Sequence, residues 1–469
     1  MTVAYDVREG DVNLSPRRDT WQRAHVGPAA QALLDRDQAR FLRQSLSTPC
    51  LSAIRHAAGI WIEDMDGRRF MDFHGNSAHH IGYGHPRLIQ ALKDQLDSLP
   101  FAPRRFTCEP AVELAERLTA VAPAGLERVL FAPGGSEAIE IALKLARIAT
   151  GRFKTLSFWD AFHGAGFGAV SVGGEALFRS HGIGPLLAGT EHVAPFACYR
   201  CPYGFPSASG APDLDACRMA CARMVRYVLE KEGDIAAVIA EPVRAVPYLP
   251  PPGFWAEVRR ACDDHGALLI FDEIPTGLGK TGTLFASEQT GVVPDLLVVG
   301  KALGGGVLPI AATLARPSLD RAADKALGHY THEKNPVLCR AALVTLDIIR
   351  DEGLVERAAS LGRHAVDRLR ESARHRPLIG EIRGAGLLIG IELVTPDGAP
   401  AVEAADAALY AALSRGLSFK VTMGSVLTLS PPLTIARDEL DHALDIIDAC
   451  LDDVAALAGH RGLNGAAAQ

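Results

Sequence analysis

The chain has 469 residues, with 48 Lys+Arg against 55 Asp+Glu for a formal charge of −7, and an apolar share of 48 %. At roughly 100–200 residues per domain this means about two or three domains around a core large enough to hold a cleft, which excludes a disulfide-scaffold peptide. A mildly acidic balance without long basic runs gives nucleic acid no footprint, and no stretch approaches the roughly 18 apolar residues of a membrane helix, so neither is an expected partner.

The chain opens with Met1–Arg18, which mixes acids into its start and lacks an apolar signal core. Nine cysteines, an odd number scattered along the chain, suit reduced thiols; the expected location is the cytoplasm. GIWIEDMDGRRFMDF places Asp66-Gly67 between two alternating runs and predicts a hairpin. The middle of the chain repeats a short apolar run, Gly/Pro punctuation and a helical stretch. Its predicted strands are Arg128–Ala132, Thr155–Trp159, Ala236–Ala240, Ala267–Phe271 and Leu296–Val299. Apolar runs spaced by helices read as a mostly parallel sheet. GSEAIEIALKLARIATG predicts an amphipathic helix stopped by Gly151. From Asn335 the pattern turns helical, passes through a β segment, GLLIGIELV, and ends in further helix, with a frayed tail expected after Leu457.

Ligands of open α/β sheets bind beyond the carboxyl ends of the strands, so polar residues just after apolar runs are the candidates. Asp272-Glu273 follow ALLIF, Lys301 follows LLVVG, Glu241 follows AAVIA, and Pro133-Gly134-Gly135-Ser136 follow RVLFA at a helix start. A lysine directly after a buried strand is costly unless it is paired or deprotonated. Schiff-base chemistry with pyridoxal phosphate is one use for it. That cofactor needs a lysine amine, a carboxylate opposite its ring nitrogen and an anion site. Lys301, Asp272 and the helix start at Gly135-Ser136 supply the three. Singly each is weak, since a strand-end Asp is more often a cap or an ion pair.

The ordered set FAPGGSEAIEIALKLAR, FWDAFHGAGFGA, AAVIAEPV, ALLIFDEIPTGLGKTG, PDLLVVGKALGGG and YTHEKNP resembles the class III aminotransferases among the fold type I pyridoxal-phosphate enzymes, over nearly the whole chain. The resemblance implies an α/β fold with a large, mostly parallel α/β domain (74–334) and a smaller α+β domain built from both chain ends (1–73 and 335–469). It implies that Lys301 carries the cofactor and moves protons on the substrate carbon, and that Asp272 holds the ring-nitrogen proton. Ile274 and Phe162 would cover the two ring faces, with His163 and Gly164 completing the Phe162 motif. Gly135 and Ser136 would bind the phosphate, and Glu241 would steady the Asp272 side. Thr331 would reach the phosphate of a neighbouring subunit, which implies a homodimer or higher oligomer.

Several positions depart from that pattern. Glu333-Lys334 stand where Gly-Gly is common, and Pro275 where Gln or Met is common. Val421 and Thr428 stand where these transaminases often place an arginine for a carboxylate. Lys420 beside them is a point charge that either compensates or is solvated surface. The segments QSLSTPCL, DFHGN, RRFT, RCPYG and GHYTHEKNPV, with GDVNLSP near the start, resemble a narrower group, ammonia-lyases acting on a hydroxylated aminoethylphosphonate. A lyase needs no keto-acid acceptor and must instead hold a phosphonate dianion, for which the candidates are Arg104, Arg105, Lys334, His74 and Asn76. The rival readings are an ω-amino-acid or amine transaminase, an ethanolamine-phosphate phospho-lyase, an aminomutase and a non-catalytic binding protein. No metal is expected. Cys198-x2-Cys201 and Cys217-x3-Cys221 come near zinc spacing within a Pro/Gly-rich loop and leave that point open. His79-His80 read as polar residues lining the entrance.

Overall fold

The computed structural model describes residues 15–44, 49–180, 182–207 and 210–465; most of GDVNLSP and part of QSLSTPCL lie outside the described residues. The predicted hairpin is part of an antiparallel meander, β1 (Ile54–Ala58), β2 (Trp61–Asp64) and β3 (Arg69–Asp72). Its turn needs a left-handed residue, and Gly67 supplies it at φ 83°. The buried Asp64 carboxylate fixes the turn by accepting the amides of Asp66 and Arg68, both at 2.9 Å. The fourth strand of this sheet, β13 (Leu417–Ser418), comes from the far end of the chain and pairs in parallel with β3.

The apolar runs form β4 (Arg128–Ala132), β5 (Lys154–Phe158), β7 (Ile235–Ala240), β8 (Leu268–Asp272) and β9 (Leu296–Val299), each within a residue of its predicted bounds. With β6 (Thr190–Val193) and β10 (Ala311–Ala315) they make a seven-stranded sheet ordered β4-β10-β9-β8-β7-β5-β6. The strands from β9 to β6 are parallel neighbours, and β10 runs antiparallel to both β4 and β9. Every residue of β7 and β9 is buried, because helices cover both faces, which is why these strands read as unbroken apolar runs. The helix Gly135–Thr150 starts directly after β4 and ends at the left-handed Gly151, as its glycines predict.

A third sheet, ordered β11-β12-β15-β14, comprises β11 (Ile379–Ala385), β12 (Leu388–Leu393), β14 (Lys420–Thr422) and β15 (Val426–Leu429), all antiparallel. The last helix spans Arg437–Gly465 and so carries on through residues 458–465, where fraying was expected. Among the described residues no helix is long and apolar enough to cross a membrane.

Candidate active site

β8 and β9 lie side by side in parallel, with Asp272 opposite Val298, so the chain leaves both strands at the same carboxyl edge of the sheet. Lys301 comes off β9 after one glycine, opens the 3-10 turn Lys301–Gly304 and takes a left-handed φ of 45°. For a residue with a Cβ that conformation costs about 1–2 kcal/mol, and such strain concentrates at functional positions. Asp272 is buried, and its carboxylate accepts the Ile274 amide at 3.0 Å and His163 Nδ1–H at 2.7 Å. The carboxylate fixes His163 as the Nδ1–H donor. One strand further on, Glu241 follows β7 across from Asp272, is buried, and accepts the Ala245 amide at 2.5 Å.

The start of the helix Gly135–Thr150 is built for close approach. A Cβ at Gly135 would stand 2.9 Å from Ile274 Cδ1, and one at Gly164, where φ is 130°, would stand 2.4 Å from Ser136 Oγ. Ser136 Oγ accepts the Ala165 amide at 3.0 Å, which ties the segment Phe162–Ala165 to the helix start. Phe162 is half-buried with its ring 4.6 Å from that of Phe178. A buried carboxylate, a strained lysine and a helix N-terminus cleared of side chains thus converge on one edge, and this donor set fits pyridoxal phosphate.

The sequence-predicted substrate residues fall into two groups. His74 and Asn76 sit in and beside the 3-10 turn Gly75–Ser77, which packs against the turn carrying Lys301. Burial, and then the charge of Lys420, push His74 down to about 4, with Lys301 adding to the effect and Asp72 opposing it. Arg104, Arg105, Thr331 and Lys334 lie instead on two exposed loops that pack on each other. The Arg104 guanidinium meets the His329 ring at 2.5 and 2.8 Å, and Cys108 Sγ–H donates to the Lys334 carbonyl at 3.5 Å. The loop bearing Thr331 rests on the helix Gly135–Thr150 through Tyr330, whose hydroxyl is pushed up by burial and by Glu137 and Glu140.

One expectation is corrected. His79 and His80 do not line an entrance: each is 1 % exposed, and their Nε2 atoms bond to the Asp72 carbonyl at 2.9 Å and the Gly277 carbonyl at 3.2 Å. Backbone carbonyls in a buried turn needed partners, and the imidazoles supply them. Sequence reasoning also missed Asp72, whose carboxylate takes the amides of His74 and Gly75 and the Tyr83 hydroxyl at 2.6 Å. An Asp two and three residues before such a turn is the available signal. It missed Lys280 as well, wholly buried, donating to the Pro431 carbonyl at 2.6 Å and pushed down to about 7 by burial. Glu273 accepts the Ala286 and Ser287 amides, and burial pushes it up to about 7. Cys198, Cys201, Cys217 and Cys221 line one small cavity as free thiols. Among the described residues no group of three or more His, Cys, Asp or Glu side chains is arranged to hold a metal ion.

Comparison with known proteins agrees with this geometry. The family model described as aminotransferase class III matches residues 43–451. The chain is 46 % identical over 456 residues, 95 % of each chain, to an (R)-1-hydroxy-2-aminoethylphosphonate ammonia-lyase of Vibrio splendidus strain 12B01. A thermostable (S)-enantioselective ω-transaminase from Thermomicrobium roseum superposes with a TM-score of 0.82 at 31 % identity, covering 91 % of this chain and 99 % of that one. A PLP-bound amine transaminase from an uncultivated Pseudomonas species gives 0.81 at 32 %, covering 88 % and 99 %.

Proposed function

Because the chain belongs to the class III aminotransferase family, we propose that it is a pyridoxal-phosphate-dependent ammonia-lyase converting (R)-1-hydroxy-2-aminoethylphosphonate to phosphonoacetaldehyde and ammonia. The observation that carries this reading is the 46 % identity held over 95 % of both chains. The positions where a transaminase of the family often keeps a carboxylate-binding arginine support it. Val421 is apolar, and Thr428 is buried with its hydroxyl 2.8 Å from that of Thr422.

When bound, pyridoxal phosphate supplies the electron sink for the amine-bearing carbon. Lys301 would attach it and take a proton from that carbon, and the hydroxyl on the neighbouring carbon would leave with a proton as water, one water being taken back when the released enamine hydrolyses to aldehyde and ammonia. Asp272, preset by His163 and the Ile274 amide, holds the proton on the ring nitrogen. Gly135 and Ser136 at the helix start take the phosphate, Phe162 and Ile274 flank the ring, and Glu241 braces the neighbouring strand end. The substrate's atoms are those of the aldehyde plus ammonia, so nothing is oxidised or reduced overall and no keto acid is consumed.

The active unit is a homodimer or a higher oligomer. Leu96, Leu99, Phe101, Phe106 and Val112 are each exposed, on and between the helices Pro86–Ser98 and Glu109–Val121, and exposed apolar side chains that gather on one face are what an interface covers. Thr331 reaches the partner's phosphate, and Arg104, Arg105 and Lys334 on the adjoining loops are candidates to meet the substrate. Nine free cysteines support a cytoplasmic location. Phosphorus NMR tests the reading: phosphonoacetaldehyde is the expected product from (R)-1-hydroxy-2-aminoethylphosphonate, whereas no change in that substrate together with release of inorganic phosphate from ethanolamine phosphate would assign a phospho-lyase instead.

A further inference from the structure

The parallel pairing of β13 with β3 sets Ser418 opposite Asp72. The Phe73 amide donates to the Ser418 carbonyl at 2.7 Å, and the Phe73 carbonyl accepts the Ser430 amide at 2.8 Å. Residue 73 is therefore clamped between the strand that leads into β14 and the segment that leaves β15. His74 and Lys420 each lie two residues beyond the paired Asp72 and Ser418, so the register brings them together. On the other side, the turn Gly75–Ser77 packs against Lys301–Gly304, and a Cβ on Gly306 would stand 3.1 Å from the Ala78 carbonyl oxygen. Lys420, His74 and Lys301 thus follow one another along the cleft, consistent with the influence of both lysine charges on His74.

Lys420 is half-buried on β14, and among the described residues its ammonium has neither an ion pair nor a hydrogen bond. Asp72, whose charge is felt at His74, accepts two backbone amides and the Tyr83 hydroxyl and makes no ion pair with Lys420. His74 is neutral above about pH 5 and offers an N–H without a second charge. Once Lys301 is committed to the cofactor, Lys420 is the lysine whose charge bears most on His74, since the nearby Lys280 is buried against the Pro431 carbonyl. A cation held partly out of water and in no ion pair favours an anionic ligand.

We infer that Lys420, with the neutral imidazole of His74 beside it, forms the anion subsite that holds the substrate's phosphonate end. It takes the place of the arginine whose position Val421 occupies. This rests on the lyase reading above for the identity of the substrate, but the subsite is defined by a doubly charged tetrahedral anion and can be tested without turnover.

The test is calorimetric titration of the holoenzyme with 2-hydroxyethylphosphonate, which has no amine to react, on the wild type, Lys420→Gln, Lys420→Arg and the double variant Arg104→Ala/Arg105→Ala. Cofactor absorbance monitors folding of each variant. Lys420→Gln is expected to raise Kd about 10–100-fold, the size of one hydrogen bond to a charged group, while Lys420→Arg recovers most of the affinity. With the aminophosphonate, Lys420→Gln raises KM more than it lowers kcat. An unchanged Kd in Lys420→Gln, loss confined to the arginine variant, or no binding by the wild type would each overturn the subsite. Phosphonate binding that depends on Lys420 in an enzyme that does not release ammonia would overturn the lyase reading and leave the subsite standing.

Discussion

Asp272 is held by two donors before any cofactor arrives, the Ile274 amide and the His163 imidazole, so its orientation costs nothing at the moment of binding. Asp272→Asn is expected to lower kcat about 10–100-fold, the worth of a charge-assisted hydrogen bond, with the cofactor still bound. Lys301→Ala is expected to lose the lysine-linked absorbance and about 10²–10⁴-fold in turnover through the missing proton transfer. Lys280 makes a different prediction. Its folded-state value of about 7 lies below the ordinary 10.5 of a lysine, so between these pH values the unfolded chain binds more protons and stability rises with pH. The slope of the urea midpoint against pH from 7 to 10 is therefore expected to fall in Lys280→Met, and an equal slope would remove Lys280 as its source. Asp272 and Lys301 were legible because each follows an unbroken apolar run. Lys280 was not, because its burial depends on Pro431, 151 residues away.

The strands and the phosphate helix were readable because each carries its own punctuation: Gly134 before the helix Gly135–Thr150, Gly151 after it, and apolar runs whose length matches a strand. Elements that depend on distant partners were not. β13 is two residues long and exists by pairing with β3, some 345 residues earlier (417 − 72), and no local pattern marks it. His79 and His80 failed for the same reason, since their burial comes from segments they meet only in the fold. At the helix start the account predicts a steric outcome. Gly135→Ala would drive a methyl into Ile274, and Gly164→Ala one into Ser136, each costing about 1–3 kcal/mol as overpacking. Both variants are expected to bind pyridoxal phosphate more weakly in a cofactor titration, Gly164→Ala the more so because its φ of 130° is also poor for a side chain.

In the whole molecule the chain forms three sheets, and the one that joins β1–β3 to β13 carries Asp72 and leads into His74. The proposed oligomer is tested at the exposed apolar side chains between Leu96 and Val112. Phe101→Asp with Phe106→Asp is expected to shift sedimentation from dimer to monomer and to cut activity with it. Dimeric, active double variants would place the interface elsewhere. The apolar runs that precede Asp272 and Lys301 were readable because they are contiguous stretches. The neighbourhood of His74 and Lys420 was not, because it comes from the pairing of β3 with β13. The central claim, a lyase and not a transaminase, is tested most directly by giving the holoenzyme (R)-1-hydroxy-2-aminoethylphosphonate with no keto acid and following ammonia and aldehyde over many turnovers. The account predicts sustained and equal release of both; a single turnover that stalls until a keto acid is added would contradict it.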